Sequence, residues 1–113
     1  MGRLDGKVAI ITGASLNIGG TVARAFAREG AKVACNDIKP EAAQQSADRV
    51  LAEGGDAVAI PGDVTDEAFV KSTVESLVAK WGKVDVLVNA AMVVNRKGVV
   101  DMPATLAGVV EEI

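Results

Sequence analysis

The stretch Val8-Ala9-Ile10-Ile11-Thr12-Gly13-Ala14-Ser15-Leu16-Asn17-Ile18-Gly19 decides how this chain is read. Val8 to Ile11 is an unbroken apolar run, which suits a strand covered on both faces. From Ile18 onward the apolar positions recur at helical spacing. A glycine-bearing turn lies between the two. A turn that leads a strand into a helix aims backbone N–H groups and the positive end of a helix dipole at one spot. Such a spot holds an anion, of which a dinucleotide pyrophosphate is one kind.

The same alternation continues down the chain. Strands are expected at residues 7–12, 32–37, 56–61 and 84–89. The first helix between them carries Ile18, Val22, Ala25 and Phe26 on one face and stops before Gly30. The second carries Ala43, Ala47, Val50 and Leu51 and stops at Gly54-Gly55. The third carries Val70, Val74, Leu77, Val78 and Trp81 and stops at Gly82. Glycine at each stop adopts the left-handed conformation that closes a helix, and Asp66 or Thr65 can cap the third helix at its start. Strands alternating with helices of this length imply parallel strands joined by right-handed crossovers. The expected fold is α/β: a truncated, Rossmann-like doubly wound sheet of about four strands, order 3-2-1-4, with helices on both faces. Residues 92–100 read as an exposed loop, and Leu106, Val109, Val110 and Ile113 as one face of a last helix.

With 113 residues there is room for one domain, residues 1–113, and one modest core. Half the residues are apolar but only 3% are aromatic, so Val, Ala, Ile and Leu must build that core. The net charge is −3 and the basic residues are scattered, which is no nucleic-acid footprint. No segment reaches membrane-spanning length. Cys35 is the single cysteine; it excludes an intrachain disulfide and reads as a small buried hydrophobe. The expected location is the cytoplasm.

In a sheet of this kind ligands bind at the carboxyl edge of the strands. Four features fall there: the turn Gly13–Gly19, Asp37 at the end of strand 2, Asp63-Val64 after strand 3, and Asn89-Ala90-Ala91 at the end of strand 4. A carboxylate at Asp37 accepts hydrogen bonds from ribose hydroxyls and repels a 2′-phosphate, which favours NAD over NADP. Each feature also has a plainer reading, such as a simple turn at Asp37 or a satisfied strand-end amide at Asn89. Their common order on one edge favours the ligand.

Taken together, these residues resemble the N-terminal half of the short-chain dehydrogenase/reductase family. Residues 7–19 resemble its strand followed by Thr-Gly-x-x-x-Gly-x-Gly, Asp63-Val64 its Asp-Val pair, and Asp85-Val86-Leu87-Val88-Asn89-Ala90-Ala91 its strand ending in Asn-Asn-Ala-Gly. The resemblance implies that Gly13, Ser15, Asn17, Ile18 and Gly19 line the adenosine and pyrophosphate. It implies that Asp37 and Ile38 hold the adenosine ribose, that Asp63 meets the adenine amino group and the Val64 backbone the ring, and that Asn89, Ala90 and Ala91 run beside the nicotinamide ribose. The implied activity is NAD-dependent alcohol oxidation or carbonyl reduction by hydride transfer, on a small-molecule substrate.

The sequence departs from the family pattern at three places. Asn17 replaces the second turn glycine, a position where Asn tolerates left-handed backbone. Ala90 and Met92 replace an Asn and the Gly of the strand-4 motif. The chain has no Tyr, whereas the family draws its proton donor from Tyr-x-x-x-Lys. No catalytic residue is therefore assigned, and the 113-residue chain alone is expected to be inactive. An unpaired strand-4 edge and the last helix are expected to promote homo-oligomers or other association. The alternatives are a non-catalytic nucleotide-binding module and a protein-interaction module.

Overall fold

The computed structural model describes residues 2–14, 18–89, 93–95 and 98–100. In chain order the elements are β1 (Val8–Thr12), α1 (Ile18–Arg28), β2 (Lys32–Asp37), α2 (Pro40–Ala52), β3 (Asp56–Pro61), α3 (Glu67–Trp81) and β4 (Val86–Asn89). Two short strands follow, β5 (Val93–Asn95) and β6 (Gly98–Val100). The first four strands form one parallel sheet in the order β3-β2-β1-β4, as the strand–helix alternation predicts.

Every residue of β1 is buried, because helices cover both faces of the sheet. The two faces divide the core by strand alternation. Ala9, Ile11, Val33 and Cys35 pack with Ala23 of α1 and Ala47 and Val50 of α2. Ile10 and Ala34 point the other way, onto Val74 and Leu77 of α3. Beside this second cluster, Val64 and Val70 make a smaller one with Phe69 and Leu87.

β2 and β3 have the bounds expected from sequence. β4 starts two residues later than expected, for a local reason. Asp85 donates its backbone N–H to the Val8 carbonyl (2.8 Å), while its side-chain Oδ2 accepts the Val8 N–H (2.8 Å). A side chain thus takes over one ladder bond where the strand begins. At α3 the cap is Asp66: its Oδ1 accepts from the N–H groups of Ala68 (3.0 Å) and Phe69 (3.3 Å). Gly82 closes the helix in the left-handed conformation at φ 85°, its N–H on the Val78 carbonyl.

Two expected core positions are exposed. Ala25 faces solvent, and the stripe of α1 centres instead on Ala23, flanked by Val22, Phe26 and Ala27. Leu51 is 47% exposed, one position past the buried Val50 of α2, and Ser46, one turn before Val50, takes an inward position on the buried face. Residues 92–100, expected to be a loop, contain paired strands: β5 and β6 run antiparallel, with Val93 opposite Val100 and Asn95 opposite Gly98. The two valine-bearing runs flanking Asn95 to Gly98 are a hairpin signal that the charged residues between them obscured. The last helical pattern, from 103 to 113, lies outside the described residues.

Candidate dinucleotide-binding edge

Strand register gathers the expected site residues. Thr12 lies opposite Asn89 and Asp37 opposite Pro61, so β1, β2, β3 and β4 all end on the same edge of the sheet. Three loops leave that edge, and each is held by identifiable bonds.

The first loop follows β1. Thr12 is fully buried, its hydroxyl directed at the Val88 carbonyl (3.4 Å). Gly13 has φ 63°, a conformation that glycine adopts without a Cβ penalty. Ala14 donates its N–H to the Asn36 carbonyl (2.7 Å), and its own carbonyl accepts the Ser46 hydroxyl from α2. At the far end of the turn, Ile18 and Gly19 open α1. A Cβ on Gly19 would collide with the Gly13 carbonyl, so the helix start is pressed against the turn. The first-turn N–H groups of a helix have no intrahelical partner, and here they stand at the turn. Ser15 and Asn17, also expected at this site, lie outside the described residues.

Asp37 ends β2 half-buried. Its Oδ1 accepts the Lys39 N–H (3.0 Å) in a side-chain turn, and its backbone carbonyl accepts the Gly62 N–H (3.0 Å). The next residue, Ile38, is 66% exposed, an apolar surface beside the carboxylate.

After β3, Asp63 is exposed and held in its own turn. Its Oδ1 accepts from the Thr65 hydroxyl (2.7 Å) and the Thr65 N–H (2.8 Å). These bonds, the hydroxyl foremost, hold its carboxyl below the usual aspartate range, so it stays ionised at neutral pH. Among the described residues neither Asp37 nor Asp63 has a hydrogen bond to its second carboxylate oxygen. Val64 is buried against Val70 and Phe69, which anchors the loop just behind Asp63. Asn89 ends β4 beside Thr12; Ala90 and Ala91 lie outside the described residues.

Two supporting residues escaped the sequence reading. Asn36 is 4% exposed, and its side-chain amide donates to the carbonyls of Ile60 (2.8 Å) and Gly62 (3.2 Å). Ser46 is 2% exposed and holds Ala14. The signal for each was a polar residue in an apolar pattern: Asn36 follows Val33-Ala34-Cys35, and Ser46 shares a helix face with Ala43, Ala47 and Val50. Behind the edge, a small cavity between sheet and α3 is lined by Ile10, Thr12, Asn36, Val64, Phe69 and Thr73, with Val70. Among the described residues no group of three His, Cys, Asp or Glu could hold a metal. The Cys35 thiol is pushed up to about 12 by burial and is neutral and shielded.

The edge therefore offers backbone donors and a helix start for phosphate, and two carboxylate oxygens for hydroxyl or amino donors. The family profile described as short chain dehydrogenase matches residues 7–107. This chain belongs to the short chain dehydrogenase family. The uncharacterized oxidoreductase YxjF of Bacillus subtilis is 49% identical over 85 residues, covering 75% of this chain and 33% of that protein. The 7alpha-hydroxysteroid dehydrogenase of Escherichia coli strain K12 is 45% identical over 89 residues, covering 79% of this chain and 35% of that protein. A metagenomic short-chain oxidoreductase solved in complex with NADP is 33% identical with a TM-score of 0.75, covering 80% of this chain and 41% of that one. The chain spans about a third of the length of the curated relatives it matches. The family is enzymatic and binds a nicotinamide cofactor. No helix among the described residues of the chain is long and apolar enough to cross a membrane.

Proposed function

We propose that residues 1–113 form a single dinucleotide-binding domain of an NAD(H)-dependent oxidoreductase that interconverts alcohols and carbonyls of small molecules by hydride transfer. The observation that carries this reading is the convergence of the Gly13 turn, Asp37 and Asp63 on one sheet edge. The fit is specific. The close approach of Gly19 to Gly13 keeps the start of α1 against the turn, so that its first N–H groups receive the pyrophosphate, with Ser15, Asn17 and Ile18 as further contacts. Asp37 receives the adenosine ribose hydroxyls and repels a 2′-phosphate, with Ile38 beside it. Asp63 accepts the adenine amino group, Val64 backs the ring, and Asn89, Ala90 and Ala91 flank the nicotinamide ribose.

When bound, the nicotinamide supplies the hydride acceptor or donor. The chain's own residues bind and orient; none is assigned to move a proton, since the sequence has no Tyr. The 113-residue chain thus binds without turning over. The domain works in the cytoplasm and associates through the outer edge of β4, which ends the sheet among the described residues. A second reading, a non-catalytic binding or interaction module, draws support from Ala90 and Met92 in place of the family's Asn and Gly.

The test is titration with NADH and NADPH, read by energy transfer from Trp81. NADH should bind tighter by about tenfold, on the order of 1.4 kcal/mol, and Asp37→Ser should narrow the gap. Preference for NADPH overturns the NAD assignment, and binding of neither favours the interaction module.

A further inference from the structure

We infer that Asn36 is a positioning residue that sets adenine selectivity: by holding the loop after β3 from beneath, it fixes the carboxylate of Asp63 where an adenine amino group is read. The inference rests on the dinucleotide reading above and extends it to a residue that touches no ligand.

Asn36 is 4% exposed as the penultimate residue of β2, on the sheet face covered by α3. Burying an amide is costly unless its hydrogen bonds are made. One side-chain atom of Asn36 faces two carbonyls, Ile60 at 2.8 Å and Gly62 at 3.2 Å, so that atom must be the donor nitrogen. Gly62 immediately precedes Asp63 and is gripped at three points. Its carbonyl takes the Asn36 amide, its N–H meets the Asp37 carbonyl (3.0 Å), and the Phe69 ring lies where a side chain would project. Asn36 also holds Ala14 through its own backbone carbonyl (2.7 Å). One buried residue therefore ties the pyrophosphate turn to the adenine loop. Asp63 itself is exposed and, among the described residues, braced only by Thr65 and Asp66 from its own loop, so its placement relative to the sheet depends on Gly62 and Val64.

Selectivity follows from charge. An adenine amino group donates to the Asp63 carboxylate, whereas hypoxanthine presents a carbonyl oxygen there, and two acceptors repel. Loosening Gly62 lets Asp63 retreat from either base, which removes the gain and the repulsion together.

The experiment compares NADH with reduced nicotinamide hypoxanthine dinucleotide by calorimetry, on the full chain, for the native sequence, Asn36→Leu and Asn36→Ser. Circular dichroism monitors folding, and the serine variant, which keeps one donor in a smaller volume, serves if the leucine variant does not fold. The native chain should prefer NADH by about tenfold. In the variants the ratio should fall toward one while NADH still binds measurably. A native chain that binds NADH without preference overturns the inference and leaves the dinucleotide reading standing. Variants that weaken both ligands equally, keeping the native ratio, show a structural role only and also overturn it. A native chain that binds neither dinucleotide overturns the underlying reading and the inference with it.

Discussion

At Gly19 a methyl group has nowhere to go, since a Cβ would sit on the Gly13 carbonyl. Gly19→Ala should therefore cost about 1–3 kcal/mol, the usual range for overpacking a close contact, and weaken NADH binding by pushing α1 off the turn; urea unfolding and titration read the two effects. On the other side of the same turn, Ser46→Ala leaves the Ala14 carbonyl without its hydroxyl donor. A buried carbonyl so orphaned costs about 1–3 kcal/mol, visible as a lower urea midpoint with an unchanged slope. Cys35 titrates in the opposite sense from an activated thiol. Its folded pKa of about 12 lies above the ordinary 9.0, so its contribution to stability is complete below pH 9 and declines as pH rises toward 12. At pH 8 a thiol reagent should leave Cys35 unmodified in the folded chain and react once urea unfolds it.

Elements depend on single side chains at their ends. Removing the cap of α3 by Asp66→Ala should cost about 1 kcal/mol, because two backbone N–H groups lose their acceptor. The start of β4 rests on Asp85. The Val8 N–H is the main cause that holds its carboxyl below the usual range, with Lys83 at 3.2 Å adding to it. A depressed folded value means that the clasp is fully present above the unfolded aspartate pKa and is lost as pH falls through the folded one. Urea midpoints measured from pH 7 down to pH 3 should drop more steeply for the native chain than for Asp85→Asn. Asp85 also shows how far sequence patterns reach at this scale. The apolar run from Val84 marked the strand, but a carboxylate substituting for a ladder acceptor depends on its position beside Val8, which periodicity does not encode. The face of α3 is legible because large residues mark it, as at Val70, Val74 and Leu77, whereas Leu51 near the end of α2 has the right spacing and is exposed. A face is misread where alanines crowd the helix, because Ala23 and Ala25 look alike until the packing chooses one. Strand order was legible because consecutive β-α-β units permit few arrangements.

Across the whole molecule, the residues expected at the ligand edge could be listed from sequence, yet what joins them could not. Gly13, Asp37, Asp63 and Asn89 each end or follow a strand and announce themselves. Asn36 and Ser46 act through partners 24 to 32 positions away, and only the folded sheet defines those pairs. Their placement makes a claim about cooperativity. Cys35 reports on the face covered by α1 and α2, and Trp81 on the face covered by α3. Both faces meet at the edge where Asn36 links Ala14 to Gly62, and a ligand bound there touches loops from both. Ligand that binds only the folded state stabilises it by about 2.7 kcal/mol at a hundredfold excess over Kd. With NADH at that excess, the urea midpoints read by Trp81 fluorescence and by Cys35 reactivity should rise together and by the same amount. A shift in one probe alone would mean that the two faces unfold separately and that the edge does not couple them.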